Sequence, residues 1–186
     1  MLLKMLIPKN IENSEFFVRF IFSDQFRKEV ILSKIKDQEI FTYSFDLGVS
    51  LQRARYTSEA FCRLQAKHVA INAKKQLAGY ILFKKEDFLN ACEEFRAENT
   101  DRSDFEAILE FTPLDSEMQY LRDREIVNTT DGGNPSHSDI IYLNPGISID
   151  SEKPQIALRI FSKKLFSKSI PIIEADDDNG LLSTYF

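Results

Sequence analysis

Residues 48–58 read GVSLQRARYTS. In extended backbone, alternate side chains leave opposite faces. Val49, Leu51, Arg53 and Arg55 therefore share one face, and Ser50, Gln52, Ala54 and Tyr56 share the other. Ser58 then suits a helix N-cap, because its hydroxyl can accept an orphan amide of the first turn, and Glu59 suits the positive end of the helix. The stretch predicts a strand running into a capped helix, with two guanidinium groups on the apolar side of the strand.

Downstream, a helix over 59–75 places Phe61, Leu64, His68 and Ile71 on one stripe, expected to face the core. YILF (80–83) reads as a buried strand. KKEDFLNACEEF (84–95) reads as a second helix with Phe88, Leu89, Cys92 and Phe95 inward. FEAILEFTPL (105–114) alternates as a strand does and stops at Pro113, after which Asp115 is expected to cap a short helix running to about Arg124. A polar loop over 128–138 leads into the strand DIIYL (139–143), and NPG (144–146) is a turn. Pro154 fits the first turn of a last helix whose Ile156, Ile160, Phe161 and Leu165 are spaced for one face, and IPII (170–173) is extended.

Upstream, MLLKMLIPKN (1–10) reads as a first strand or a tucked-in terminus, and EFFVRFIF (15–22) as a strand rich in Phe, Val and Ile. IFTYSFDL (40–47) reads as a half-buried strand. The segment between them, 23–36, reads equally as helix or strand. The order of elements predicts an α+β fold, with a mixed or mainly antiparallel sheet flanked by three to four helices. The expected organisation is a core domain at 1–150, followed by a C-terminal helix and acidic tail at 151–186 that can serve as an assembly element. The tail carries EADDDNG and then the apolar LLSTYF.

The 186 residues are 43% apolar and include 16 Phe, enough to fill a sizeable core without a metal or disulfide staple. Cys62 and Cys92 lie inside helical patterns and read as buried free thiols. A formal charge of −5 argues against a globally electrostatic nucleic-acid binder. Nucleic acid remains open only through a local basic patch built from Lys74, Lys75, Lys84, Lys85, Lys163, Lys164 and Lys168. Between Glu93 and Glu125 eleven acidic residues face four basic ones, which reads as a solvated surface or an acidic docking face. The N-terminal apolar run is broken by Lys4, lacks a cleavage site and is too short to span a bilayer, so no membrane association and a cytoplasmic protein are expected.

Two polar groupings carry candidate chemistry. Arg53 and Arg55, on an apolar face, require partners because an unpaired buried charge is costly. The partner is internal, with Asp46 or Asp139 as candidates, or it is a phosphate or carboxylate ligand gripped bidentately. Tyr56, on the opposite face, packs or caps. The second grouping is His137 in DGGNPSHSDI (131–140), close to Asp131 and Asp139. An imidazole there suits general acid or base work near neutral pH. The same stretch is also ordinary turn chemistry, in which His137 pins its own loop; that structural reading takes precedence. No zinc spacing is present, no metal site is expected, and the phosphate-binding and dinucleotide-binding glycine motifs and the nucleophile elbow are absent, so no cofactor is expected.

VSLQRARYTS (49–58) and GNPSHSDI (133–140) together resemble a pattern in small uncharacterised bacterial proteins of multi-gene loci, some of them defence-like. The resemblance spans Phe17 to Ile141, with Arg53, Tyr56 and His137 as matching positions. It implies no established activity. The expected function is an accessory or interaction subunit of a bacterial multiprotein system, binding other protein subunits and without its own catalysis. The alternative is an enzyme or sensor acting on a nucleotide, a dinucleotide or an RNA end. There Arg53 and Arg55 hold phosphate, Tyr56 and Asp139 complete the site, and His137 serves as acid or base.

Overall fold

Phe16–Phe22 reads FFVRFIF, and both of its faces are buried: Phe17 and Ile21 on one side, Val18 and Phe20 on the other. Such a run belongs at the centre of a sheet covered on both sides. In the computed structural model, which describes residues 5–22, 36–42, 48–121, 126–143, 152–174, 177 and 180–186, that is where it lies.

The elements in chain order are β1 (Leu6–Pro8), β2 (Phe16–Phe22), β3 (Val49–Arg53), α1 (Glu59–Asn72), β4 (Leu77–Lys84), α2 (Lys85–Glu98), β5 (Glu106–Phe111), β6 (Ile126–Asn128), β7 (His137–Leu143), α3 (Glu152–Ser167) and β8 (Ile170–Ile173). Six strands form one antiparallel sheet in the order β5-β7-β3-β2-β4-β8, while β1 and β6 pair separately. The fold is α+β, as the pattern of elements predicted, with three α-helices among the described residues. No helix among the described residues is long and apolar enough to cross a membrane.

The sheet divides the core in two. On one face Phe17, Ile21, Val49, Leu51, Ile81 and Phe83 meet Phe88 and Phe95 of α2 and Phe161 and Leu165 of α3. The aromatic rings there meet mostly tilted or edge-on, as Phe88–Phe161 and Phe95–Phe105 do, the geometry ring quadrupoles favour. On the other face Val18, Phe20, Tyr80, Leu82 and Ile172 meet Cys62 and Ala66 of α1 and Leu182 of the C-terminal 3₁₀ helix, Leu181–Tyr185. Gly79 makes this closure possible: a Cβ there would lie 2.2 Å from the Ile172 carbonyl oxygen, so only a bare backbone lets β8 dock against β4.

Several expectations are corrected. The large stripe of α1 faces away from the core: Leu64 and Ile71 are 63% and 72% exposed, and His68 is exposed too. The buried stripe is the small one, Cys62, Ala66 and Ala70. The bulky Phe20 and Tyr80 beneath leave room only for small side chains, and size rather than hydrophobicity selected the face. On α2 and α3, Leu89 and Ile156 likewise lie outside the core, where Ala91 and Ala157 take the inward places. Over 116–121 the helix expected after Asp115 is a turn: Asp115 Oδ1 accepts the amides of Glu117 and Gln119, and Leu114 bridges to Tyr120 and Asn134, while 122–124 fall outside the described residues. Ile40 and Phe41, expected to open a strand, lie in a turn, and Ser162 Oγ accepts the Phe41 amide. The rest of that expected strand, 43–47, and most of the ambiguous segment, 23–35, fall outside the described residues. Residues 152–173 supply α3 and β8 to the same core and sheet as the rest of the chain. The C-terminal turn is fastened by Arg63, which binds Glu59, Glu174 and Asp177.

Candidate functional site

Arg53 is the last residue of β3 and is fully buried, 0% exposed. Its Nε and Nη2 donate to the two carboxylate oxygens of Glu15, each at 2.8 Å. Nη1 donates to the Pro8 carbonyl at 2.5 Å and Nη2 to that of Asn10 at 3.3 Å. The rings of Tyr56 and Phe111 lie 4.6 and 5.0 Å from the guanidinium carbon, within cation–π range. The group is bidentately paired, hydrogen-bonded and stacked, so its desolvation is met from within the molecule. The expected internal partner was Asp46 or Asp139; Glu15, at the head of β2, takes the role instead, and Asp46 lies outside the described residues.

Arg53 and Arg55 do not share a face. The strand ends at Arg53 and the chain turns into the 3₁₀ helix Ala54–Tyr56, so the two-residue alternation stops there. The Arg55 side chain is 55% exposed and pairs with Glu12 at 3.0 Å. Tyr56 swings back onto the Arg53 guanidinium rather than facing away from it.

His137 opens β7 opposite Gln52 of β3. Arg53, the neighbour of Gln52, sends its side chain to the other face, so the arginine and the imidazole do not converge. His137 Nδ1 donates to the Thr112 carbonyl at 2.8 Å. Burial holds the imidazole below its usual pKa; the Asp139 carboxylate and the Thr112 carbonyl oppose that shift and Arg19 adds to it. The ring is neutral at pH 7 and braces its own bend against the end of β5.

Asp139 sits opposite Ser50 on β3 and Glu110 on β5. Its Oδ2 accepts the Thr112 hydroxyl at 2.8 Å and lies 3.7 Å from His137 Nδ1. Its Oδ1 is buried and has no hydrogen-bond partner among the described residues. A cavity of about 590 Å³ adjoins it, with Gly48, Glu110, Thr112 and Tyr120 among its polar surroundings and Leu109, Phe111 and Ile141 among its apolar ones.

Sequence reasoning did not single out Glu15, Thr112, Glu110 or Gly48. Glu15 had one signal, a lone carboxylate at the head of an apolar run; the other three had none. The stretches 49–58 and 133–140 do meet, as the β3–β7 ladder and a bond from the Arg53 amide to the Ser136 carbonyl. Of the lysines considered as a basic patch, Lys85 donates to the Ile11 carbonyl, while Lys164 pairs with Glu98 and Lys168 with Glu94. Burial pushes the Cys62 thiol up to about 12 and the Cys92 thiol to about 11, marking both as packing groups rather than nucleophiles. Among the described residues no group of three or more His, Cys, Asp or Glu is placed to hold a metal ion. Compared with family models, curated proteins and solved structures, the chain matches none.

Proposed function

We propose that this chain is an interaction subunit of a multiprotein assembly, without catalysis of its own, and that it receives a partner on the outer face of α1. The carrying observation is the inversion of that helix: Cys62, Ala66 and Ala70 face in, while Leu64 and Ile71 project outward at 63% and 72% exposure, with Val69 beside them. Large side chains placed outward where small ones would serve the fold mark an association surface. Exposed Lys67, His68 and Lys74 surround this patch, so the partner it fits presents an apolar ridge with acidic flanks.

The resemblance to proteins of multi-gene bacterial loci supports the same reading, and a cytoplasmic, defence-associated setting is proposed on that basis alone. The phosphate-handling alternative requires Arg53 to face a ligand. Its guanidinium is instead committed to Glu15 and two carbonyls, and His137 lies on the opposite face.

Site-specific photo-crosslinking in the native host tests the proposal. A benzophenone side chain at position 64 or 71 is expected to give one discrete protein adduct, and the same group at exposed Asp104 to give none. No adduct from 64 or 71, or the same adducts from all three positions, refutes the reading.

A further inference from the structure

The main sheet ends in two edge strands, β8 and β5, and they are finished differently. An open edge carries a row of unpaired amides and carbonyls that invites another strand. β8 guards its edge: it is four residues long and contains Pro171. β5 is six residues long and has no proline. The Thr112 amide donates to the His137 carbonyl, which fixes the phase of the β5–β7 ladder. Glu106, Ile108 and Glu110 therefore exchange bonds with β7, while Ala107, Leu109 and Phe111 turn their amides and carbonyls outward. Cys92 Sγ reaches the Ala107 carbonyl at 3.9 Å. On that side no described residue bonds the backbone of Leu109 or Phe111.

The cavity of about 590 Å³ runs along this edge. Leu109, Glu110, Phe111 and Thr112 all line it. Successive strand residues point to opposite faces, so four in a row border one space only where that space reaches beside the strand. On the core side Leu109, Phe111 and Ile11 give it an apolar wall, and Lys9 and Lys85 also line it; Lys85 heads α2 and donates to the Ile11 carbonyl. On the other face stands Glu110, exposed, with exposed Glu106 further along the same face. These charges set the phase of an incoming strand. A basic side chain belongs opposite Glu110, and the two lysines disfavour one on the core side, where apolar side chains extend the wall. A second copy of β5 fits badly: antiparallel self-pairing gathers Glu106 and Glu110 of both chains, four carboxylates, on one face of the joint.

We propose that the open edge of β5 takes up an extended segment of another protein as a seventh, antiparallel strand, with a basic residue opposite Glu110 and apolar residues opposite Leu109 and Phe111. Main-chain bonds to Leu109 and Phe111 hold the strand, and Glu110 selects it. The groove shares no residue with α1, so its occupancy stands or falls apart from crosslinking there.

The capped peptide TVRVT is the probe, with TVEVT as its acidic counterpart and a form of TVRVT N-methylated at the second valine, the residue opposite Leu109. Each is titrated into the ¹⁵N-labelled full chain and followed by amide chemical shifts and hydrogen exchange. TVRVT is expected to give saturable shifts along β5. At about ten times its Kd it should slow exchange of the Leu109 and Phe111 amides about tenfold. TVEVT is expected to bind about tenfold more weakly, and Glu110→Lys, at an exposed position, to reverse that order. N-methylation removes one ladder donor and is expected to cost about tenfold. No saturable binding of TVRVT, equal or tighter binding of TVEVT to the natural chain, or full binding of the N-methylated form would each overturn the proposal. So would a dimer of the chain alone in which the Leu109 and Phe111 amides are already protected.

Discussion

Replacing Arg53 by Met tests the interior most directly. The methionine keeps an apolar stem against Tyr56 and Phe111 but removes four hydrogen bonds: two to Glu15, one to Pro8 and one to Asn10. The Glu15 carboxylate, 1% exposed, is left with only the Glu12 amide as a donor among the described residues. Breaking a buried pair by removing one partner costs about 3–5 kcal/mol. Total stability for a domain is about 5–15 kcal/mol, so this one change removes a large share of it. At this chain length each kcal/mol lowers Tm by about 2–4 °C, giving a fall on the order of 6–20 °C. Urea unfolding followed by far-UV circular dichroism at pH 7 reads the effect as a lower midpoint with an unchanged slope. The double variant Arg53→Met, Glu15→Met removes both charges and leaves no orphan, so its loss should fall short of the sum of the single losses by about 0.5–3 kcal/mol. A single variant within about 1 kcal/mol of the natural protein, or an additive cycle, would refute the claim that the guanidinium is neutralised from within.

Two further outcomes follow from the burial pattern. Because His137 is buried neutral with a depressed pKa, the unfolded chain takes up a proton near 6.5 before the folded one does. Its contribution to stability is complete above pH 6.5 and is lost as pH falls below that value, by up to about 1.4 kcal/mol per pH unit. His137→Gln should flatten this limb in urea melts between pH 6.5 and 5, and an unchanged slope would show the imidazole to be accessible. Leu182, fully buried in the layer beneath α1, should cost about 2–5 kcal/mol when cut to Ala. A loss under about 0.5 kcal/mol would place the C-terminal turn away from the sheet.

The fold class was legible because YILF, and FFVRFIF but for Arg19, are short apolar runs rich in aromatic and β-branched residues, as strands are. Helices α1 and α2 were legible from Ser58 and from the spacing of Phe88, Cys92 and Phe95. The inner face of α1 was not. Helical periodicity fits both the stripe through Leu64 and the stripe through Ala66, and only the volume of Phe20 and Tyr80, fixed by the tertiary pairing, decides between them. At the site, the need of Arg53 for an internal partner was legible from its apolar neighbours. The identity of that partner was not, since Glu15 lies 38 residues away and reaches Arg53 only once β2 pairs with β3. The separation of Arg53 from Arg55 escaped for a different reason: the strand gives way to a 3₁₀ turn after Arg53, and nothing in RARY marks that point.

The strand order has a kinetic consequence. β5 precedes β7 in the chain, yet among the described strands β7 is its only neighbour in the sheet, and β7 in turn reaches the sheet only through β3. β5 therefore has no berth until a contact closing some 87 residues, as between Ser138 and Leu51, has formed. Closing so long a loop is entropically slow, and pairings of this range lower folding rates. Refolding watched by pulsed hydrogen exchange should protect the amides of β2 and β4 first and those of β5 last, making β5 also the first stretch to be released when the native state opens.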